Sequence, residues 1–456
     1  MHEPTACQII GRWVSEVTTE NIPDEVLQAA MQSWVDVLGC MLGGAAINAS
    51  KKLRPLIFSQ HGKGDCWVAG SKNTCSSIGA ALANGTSAHA LDFDDTSYAG
   101  VVHASATVAA AVMAAADHVG ADGATTFTAF LAGSEAEYAY GQAASNQLFM
   151  DGWWTTSVFG GLGAAAGAAK VMGLNEDKIN LAMAHALCRV SGLRVANGTD
   201  AKFVGNGQVA GLGVTSALFA EAGLSAPLDA LEGQNGMAQL IKRGPLNLEL
   251  LRGLGTNWSF INPGVYLKPY PACSASHAAA EAAIEIIKDH DLAADDIATI
   301  QVEAPQIVID SLVYNDPNRA PQGQFSLPFI IACGIVDRGF GLERINEDSL
   351  NDPRIRSLMP KITLHHNVEL TQKSLAGEVG PECARVRLIT SENKELEKFN
   401  SEAIGAPTKP MSDQQVDDKF LNLANFSGNT KNAPMWLQRI RNIRNIDQIR
   451  DLWCIN

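Results

Sequence analysis

The sequence predicts a mainly α protein: a large all-α helical domain (residues 1–265 plus 401–456) with a smaller α+β domain (266–400) inserted in it. Three observations lead there. The first half is dense in alanine and glycine, places apolar residues at helical spacing, and shows no long strand pattern before about residue 297. Beyond Pro263 the charged residues rise and three segments alternate apolar and polar positions in strand fashion. At Pro410-Met411-Ser412 the texture returns to helix, with Ser412 and Gln415 in capping-box spacing.

The elements follow in order. Residues 23–43 form a helix with Pro23 at its start, carrying Val26, Leu27, Ala30, Trp34, Val37, Leu38 and Met41 near helical spacing. An irregular stretch with two apolar pieces, 56–58 and 66–68, comes next. Helices are expected at 76–90, 104–119, 127–142 (opened by Thr126 or Thr128), 158–172 and 209–222. Gly120, Gly173 and Gly223 stand where a left-handed residue ends a helix. In the second part a helix covers 276–290, and strands cover 297–302, 361–370 and 384–390. The tail, with Ile440, Ile443, Ile446, Ile449 and Leu452, reads as short helices folded back on the first domain.

Composition limits the function. With 46% hydrophobic and 18% charged residues, the 456-residue chain has the means for a sizeable core. A net charge of −14 argues against a nucleic-acid partner, which requires a basic face. Nine scattered cysteines, odd in number and without a CxxC pair, read as reduced thiols of a cytoplasmic protein rather than a disulfide framework or a zinc site. No apolar run reaches the length of a membrane span, and no signal peptide is visible.

Five segments carry candidate chemistry. Gly161-Leu162-Gly163-Ala164-Ala165-Ala166 fits a dinucleotide fingerprint, but the rest of a βαβ unit is missing, so close helix packing is the favoured reading. His365-His366 lacks a third ligand and is read as structural rather than metal-binding. Residues 84–107 place Asp92, Asp94 and Asp95 between His89 and His103. That segment is either a loop in which Asp94 or Asp95 caps a helix, an acid–base cluster whose neighbours push pKa values apart, or a magnesium site without the usual phosphate-binding parts. Residues 267–277 set Lys268 before two prolines and a helix start near Ser274, with Cys273 and His277 close by. This is either a carboxylate pocket at a helix N-terminus or a solvated domain-crossing loop. Lys202 lies in a polar, glycine-flanked loop, and Arg194 just before it has the fork that clamps a carboxylate.

The blocks IPDEVLQAAMQSWVDVLGC, ANGTSAHALDFDDT, TAFLAGSEAEYAYG, SVFGGLGAAAGAAKVMGL, KPYPACSASHAAAEA, FSLPFIIACGIVDRGF and GAPTKPMSDQQVDDKF, in this order, resemble the MmgE/PrpD family. That family contains 2-methylcitrate dehydratases, cis-aconitate decarboxylases and iminodisuccinate epimerase. The resemblance implies a helical domain with an inserted α+β domain, a homodimer, no cofactor or metal, and a small carboxylic acid bound at the domain junction. Carried over block by block, the site would hold Asp92, Thr96, His103, Lys202 and Lys268. Two departures concern the reaction. Trp154 stands where decarboxylating members carry a histidine, and Cys273 replaces another histidine five residues after the block's lysine. A pocket without those proton donors favours an epimerase with His103 or Asp92 facing Lys202 across the α-carbon. A 2-methylcitrate-type dehydratase and a non-catalytic helical scaffold are the alternatives.

Overall fold

The computed structural model describes residues 3–242 and 244–454. It opens on a helix that the sequence reading left unassigned, α1 (Ala6–Glu16), where Thr5 and Gln8 form a reciprocal capping box. Helix α2 (Asp24–Gly44) begins directly after Pro23. The stretch expected to be irregular holds α3 (Asn48–His61), whose internal Pro55 disguises it. Then come α4 (Ser77–His89), α5 (Ala104–Val119) and α6 (Gly123–Ala144). Asp122 caps α6 by accepting from the Thr125 N–H, so neither Thr126 nor Thr128 is the cap. Helices Thr155–Val171, Glu176–Leu187 and Asp200–Glu221 complete this part. The last begins well before residue 209, because its glycine-rich first turns look like a loop in sequence yet pack against α4.

Close packing explains the small residues. The dinucleotide-like run 161–166 lies wholly inside the buried helix Thr155–Val171. A Cβ on Gly163 would stand 2.8 Å from both the Gly133 carbonyl and the Glu137 Cβ, so these two helices touch backbone to backbone.

Four strands form one sheet in the order β2-β1-β3-β4. They are β1 (Ile297–Ala304), β2 (Ile362–His366), β3 (Ala384–Thr390) and β4 (Glu395–Asn400). β1 runs parallel to β2 and antiparallel to β3, with Ile300 opposite Ile362 on one side and Leu388 on the other. The expected strand at 361–370 is half right: it stops at His366, and Val368–Leu375 is a helix capped by Asn367. Helices His277–Asp289 and Leu327–Asp337 pack together and against the sheet.

Buried apolar side chains gather in two large clusters. One joins residues between Ala6 and Leu267 with Met411–Trp453, and the other runs from Ala272 to Leu388. The capping box at Ser412 forms as expected and starts the helix Asp413–Phe426, which packs on α2. No single helix among the described residues is long and apolar enough to cross a membrane. The pair Asp24–Gly44 and Asn48–His61 meets that criterion only jointly, across an 86° bend. All nine cysteines are free thiols.

Candidate active site

The site is built around a loop that cannot relax into a helix. Between α4 and α5, Asp92 and Val101 adopt φ of +48° and +57°, a conformation costly for residues with a Cβ and held only by surrounding contacts. Thr96 exchanges both backbone hydrogen bonds with Tyr266, and Ser97 does so with Val102, which locks the loop's path. From behind, Lys419 of Asp413–Phe426 reaches the loop. Its buried ammonium donates to the Phe93 carbonyl at 2.6 Å and pairs with Asp36 at 2.5 Å.

Asp92 sits between two ammonium groups. Lys202 donates to its Oδ1, while Lys268 donates to its Oδ2 at 3.2 Å and to its carbonyl at 2.9 Å. All three side chains are buried. Burial alone would raise the Asp92 carboxyl, but the two ammonium charges outweigh it and hold the group well below the usual range. Lys202 occupies the first turn of Asp200–Glu221, where a cation is disfavoured by the helix dipole. Burial lowers its pKa further, Asp92 opposes that, and the Trp154 and Phe325 rings face its ammonium at 4.4 and 5.1 Å.

The two histidines are placed as neutral tautomers. His89 Nδ1 lies 2.9 Å from Asp94 Oδ2, and its Nε2 lies 2.7 Å from the Lys202 ammonium. An ammonium only donates, so Nε2 is the bare nitrogen and Nδ1 carries the proton. His103 Nδ1 lies 2.7 Å from the Asp95 carbonyl and 3.4 Å from Asp94 Oδ2. Both are acceptors, so His103 is left with an unprotonated Nε2. Burial and then the Lys268 charge push this imidazole down to about 4. Trp154 covers both rings, 5.7 Å from His89 and 5.5 Å from His103.

A small cavity opens on this group. Its wall includes Asp92, Thr96, His103, Trp154, Lys202, Lys268 and Cys273, so seven of the residues singled out from sequence converge on it. Arg194 and His277 do not line it. Arg194 stacks on Phe149, 4.8 Å from the ring, in the 3₁₀ turn before Lys202. His277 donates from Nε2 to the Ala272 carbonyl, and burial keeps it neutral, down to about 3. Lys268 is not aimed at the helix start near Ser274, because Asp92 takes its ammonium. Nor does Asp94 or Asp95 cap α5. His103 is the cap residue, Asp94 receives both imidazoles, and Asp95 is bonded by Ser105.

Of the other wall residues, only Ser274 carries a sequence signal, as a helix start. Tyr98, Asn197, Ser274, Ser311, Phe325 and Glu382 come from six separate places in the chain. Tyr138 and Tyr140 belong to the buried helix core, against Phe260 and Phe159.

His89, Asp94 and His103 form the one trio among the described residues whose donor atoms could share a metal ion. The ammonium of Lys202 already stands against His89 Nε2, and its charge would repel a divalent ion, so the trio fits a metal poorly.

The cavity brings together a clamped carboxylate, paired lysines and a bare imidazole nitrogen. The pattern of the MmgE/PrpD N-terminal domain matches residues 8–249, and that of the MmgE/PrpD C-terminal domain matches residues 270–444. The chain belongs to the MmgE/PrpD family. It is 26% identical to a cis-aconitate decarboxylase of Aspergillus terreus over 439 residues, covering 91% of this chain and 88% of that one. It is 25% identical to the cis-aconitate decarboxylase-like protein oryM of Aspergillus oryzae, covering 94% and 92%. The human cis-aconitate decarboxylase matches at 25% over 63% of this chain and 61% of its own.

Proposed function

We propose that this chain is an enzyme that moves a proton at the carbon next to a carboxylate of a small di- or tricarboxylic acid. The observation that carries this is the bare Nε2 of His103 sharing a cavity with the ammonium groups of Lys202 and Lys268. A C–H beside a carboxylate is very weakly acidic, and buried cations placed where the carbanion's charge develops lower that barrier. His103 is the base in this reading, neutral and already oriented by Asp94 and the Asp95 carbonyl. The relatives' names support a small carboxylic acid as the substrate class.

The finer proposal is an epimerase resembling iminodisuccinate epimerase. It is supported by the two wall positions that hold groups without a proton to give at neutral pH. Trp154 has no acidic proton, and burial followed by the Asp92 charge pushes the Cys273 thiol up to about 12. The second reading is a lyase, favoured by the decarboxylases among the relatives. We also propose residues 266–400 as an inserted domain and the homodimer as the working assembly.

Proton NMR in D₂O with iminodisuccinate, aspartate, 2-methylcitrate, citrate and cis-aconitate tests the reading. Deuterium entering the α-position with isomers interconverting supports the epimerase. A new alkene or released carbon dioxide supports the lyase. No exchange and no product with any of these acids overturns the proton-transfer reading.

A further inference from the structure

The cavity wall has two halves from distant parts of the chain. Asp92, Thr96 and His103 enter from the loop between α4 and α5, while Ser274 and Glu382 enter from the C-terminal part. Glu382 lies in the turn just before β3, so the sheet fixes its backbone. It also lines a second, smaller cavity, with Lys268, His277, Tyr266 and Glu402. Among the described residues its carboxyl has no ion-pair partner. Ser274 Oγ donates to Oε1 at 2.7 Å, and the Tyr98 hydroxyl hydrogen-bonds the same carboxyl. The groups that face it are Tyr98 from the loop, Tyr266 (paired with Thr96) and Lys268 just after it, Cys273 and Ser274 from the following turn, and Asp92.

We propose that Glu382 is the second proton-transfer group of this site, the acid that delivers a proton to the substrate carbon on the face opposite His103. The assignment rests on the proton-transfer reading above. In the forward step His103 Nε2 takes the α-proton, and the C–H electron pair passes into the carbanion conjugated with the carboxylate. A new C–H bond then forms as the carboxyl O–H bond of Glu382 breaks. This leaves an imidazolium and a carboxylate, which the reverse reaction or exchange with solvent water resets. The environment suits an acid. Burial raises the Glu382 carboxyl and Asp92 adds to the rise, while the Ser274 and Tyr98 hydrogen bonds and the Lys268 charge oppose it.

The test follows two rates in D₂O with a single stereoisomer of iminodisuccinate: deuterium uptake at the α-carbon and appearance of the other stereoisomer. Wild type is expected to show both. Absence of uptake in wild type overturns the underlying base reading as well as this one. In Glu382→Gln, uptake through His103 should survive while interconversion falls about 100-fold or more, the usual worth of a positioned acid. Glu382→Asp should restore much of it. Interconversion in a folded E382Q close to the wild-type rate overturns the role of Glu382 and leaves His103 untouched. Should E382Q lose its fold by circular dichroism, the wild-type pH profile decides. Interconversion should decline at a lower pH than uptake, which fails only when Lys202 loses its charge, and coincident profiles overturn the proposal.

Discussion

The ammonium of Lys202 stands 2.7 Å from Nε2 of His89, and His89 passes the contact on to Asp94 through Nδ1. Lysine, imidazole and carboxylate thus form a row in which the histidine is neutral and donates in one direction only. Burial and the lysine charge both oppose protonation of that ring, and they outweigh Asp94.

Lys202→Met should leave Asp92 with one cation instead of two and His89 Nε2 without a donor. Deuterium uptake should fall about 100- to 1,000-fold, the range for removing one preorganised charge-stabilising donor. Stability should fall by about 1–3 kcal/mol, the cost of leaving buried polar groups unsatisfied. Urea unfolding and uptake kinetics measure both, and an unchanged kcat/KM would contradict the site.

His103→Asn should abolish the base and keep the fold. Uptake is expected to drop about 100- to 10,000-fold, with an unaltered circular dichroism spectrum. In wild type, kcat/KM should be lost as pH falls through about 4, where the free imidazole gains its proton. A rate that persists well below that pH would exclude His103.

Asp95 gives a pH-dependent stability with a definite sign. Burial raises its carboxyl to about 7, against a bond from Ser105. The folded state therefore binds the proton more tightly than the unfolded one. This contribution is full below the ordinary value of 3.8 and is lost as pH rises through about 7. Asp95→Asn should flatten the decline of Tm between about pH 4 and 7, as read by differential scanning fluorimetry. A decline as steep as that of wild type would refute it.

Gly163→Ala tests the helix contact rather than the chemistry. The added methyl meets the Gly133 carbonyl and Glu137, so overpacking should cost about 1–3 kcal/mol. Tm should fall while uptake per folded molecule stays unchanged, and an unaltered Tm would contradict the packing.

The helices were legible because alanine and glycine at helical spacing leave little else to form, and glycines at positions 120, 173 and 223 take the left-handed φ expected of them. Helix ends were less so. Asp122 caps α6 from five residues before the run read as helical, and the polar first turns of Asp200–Glu221 look like a loop. Within the site, Asp92, His103, Lys202 and Lys268 stood out by type and block. Their pairing did not, since Asp92 and Lys268 meet across 176 positions. Glu382 was invisible, because an acidic residue in a turn before a strand resembles any solvated one until the cavity is seen.

Lys419 bonds the carbonyl of Phe93 across 326 positions, one residue away from Asp92. During synthesis, then, α4, α5 and the loop they bracket are on hand long before the side chain that braces that loop from behind. A ribosome-bound nascent chain ending short of residue 419 holds every acid and base of the helical half yet lacks this brace. Competence at the site therefore arrives late in translation, with the helix Asp413–Phe426.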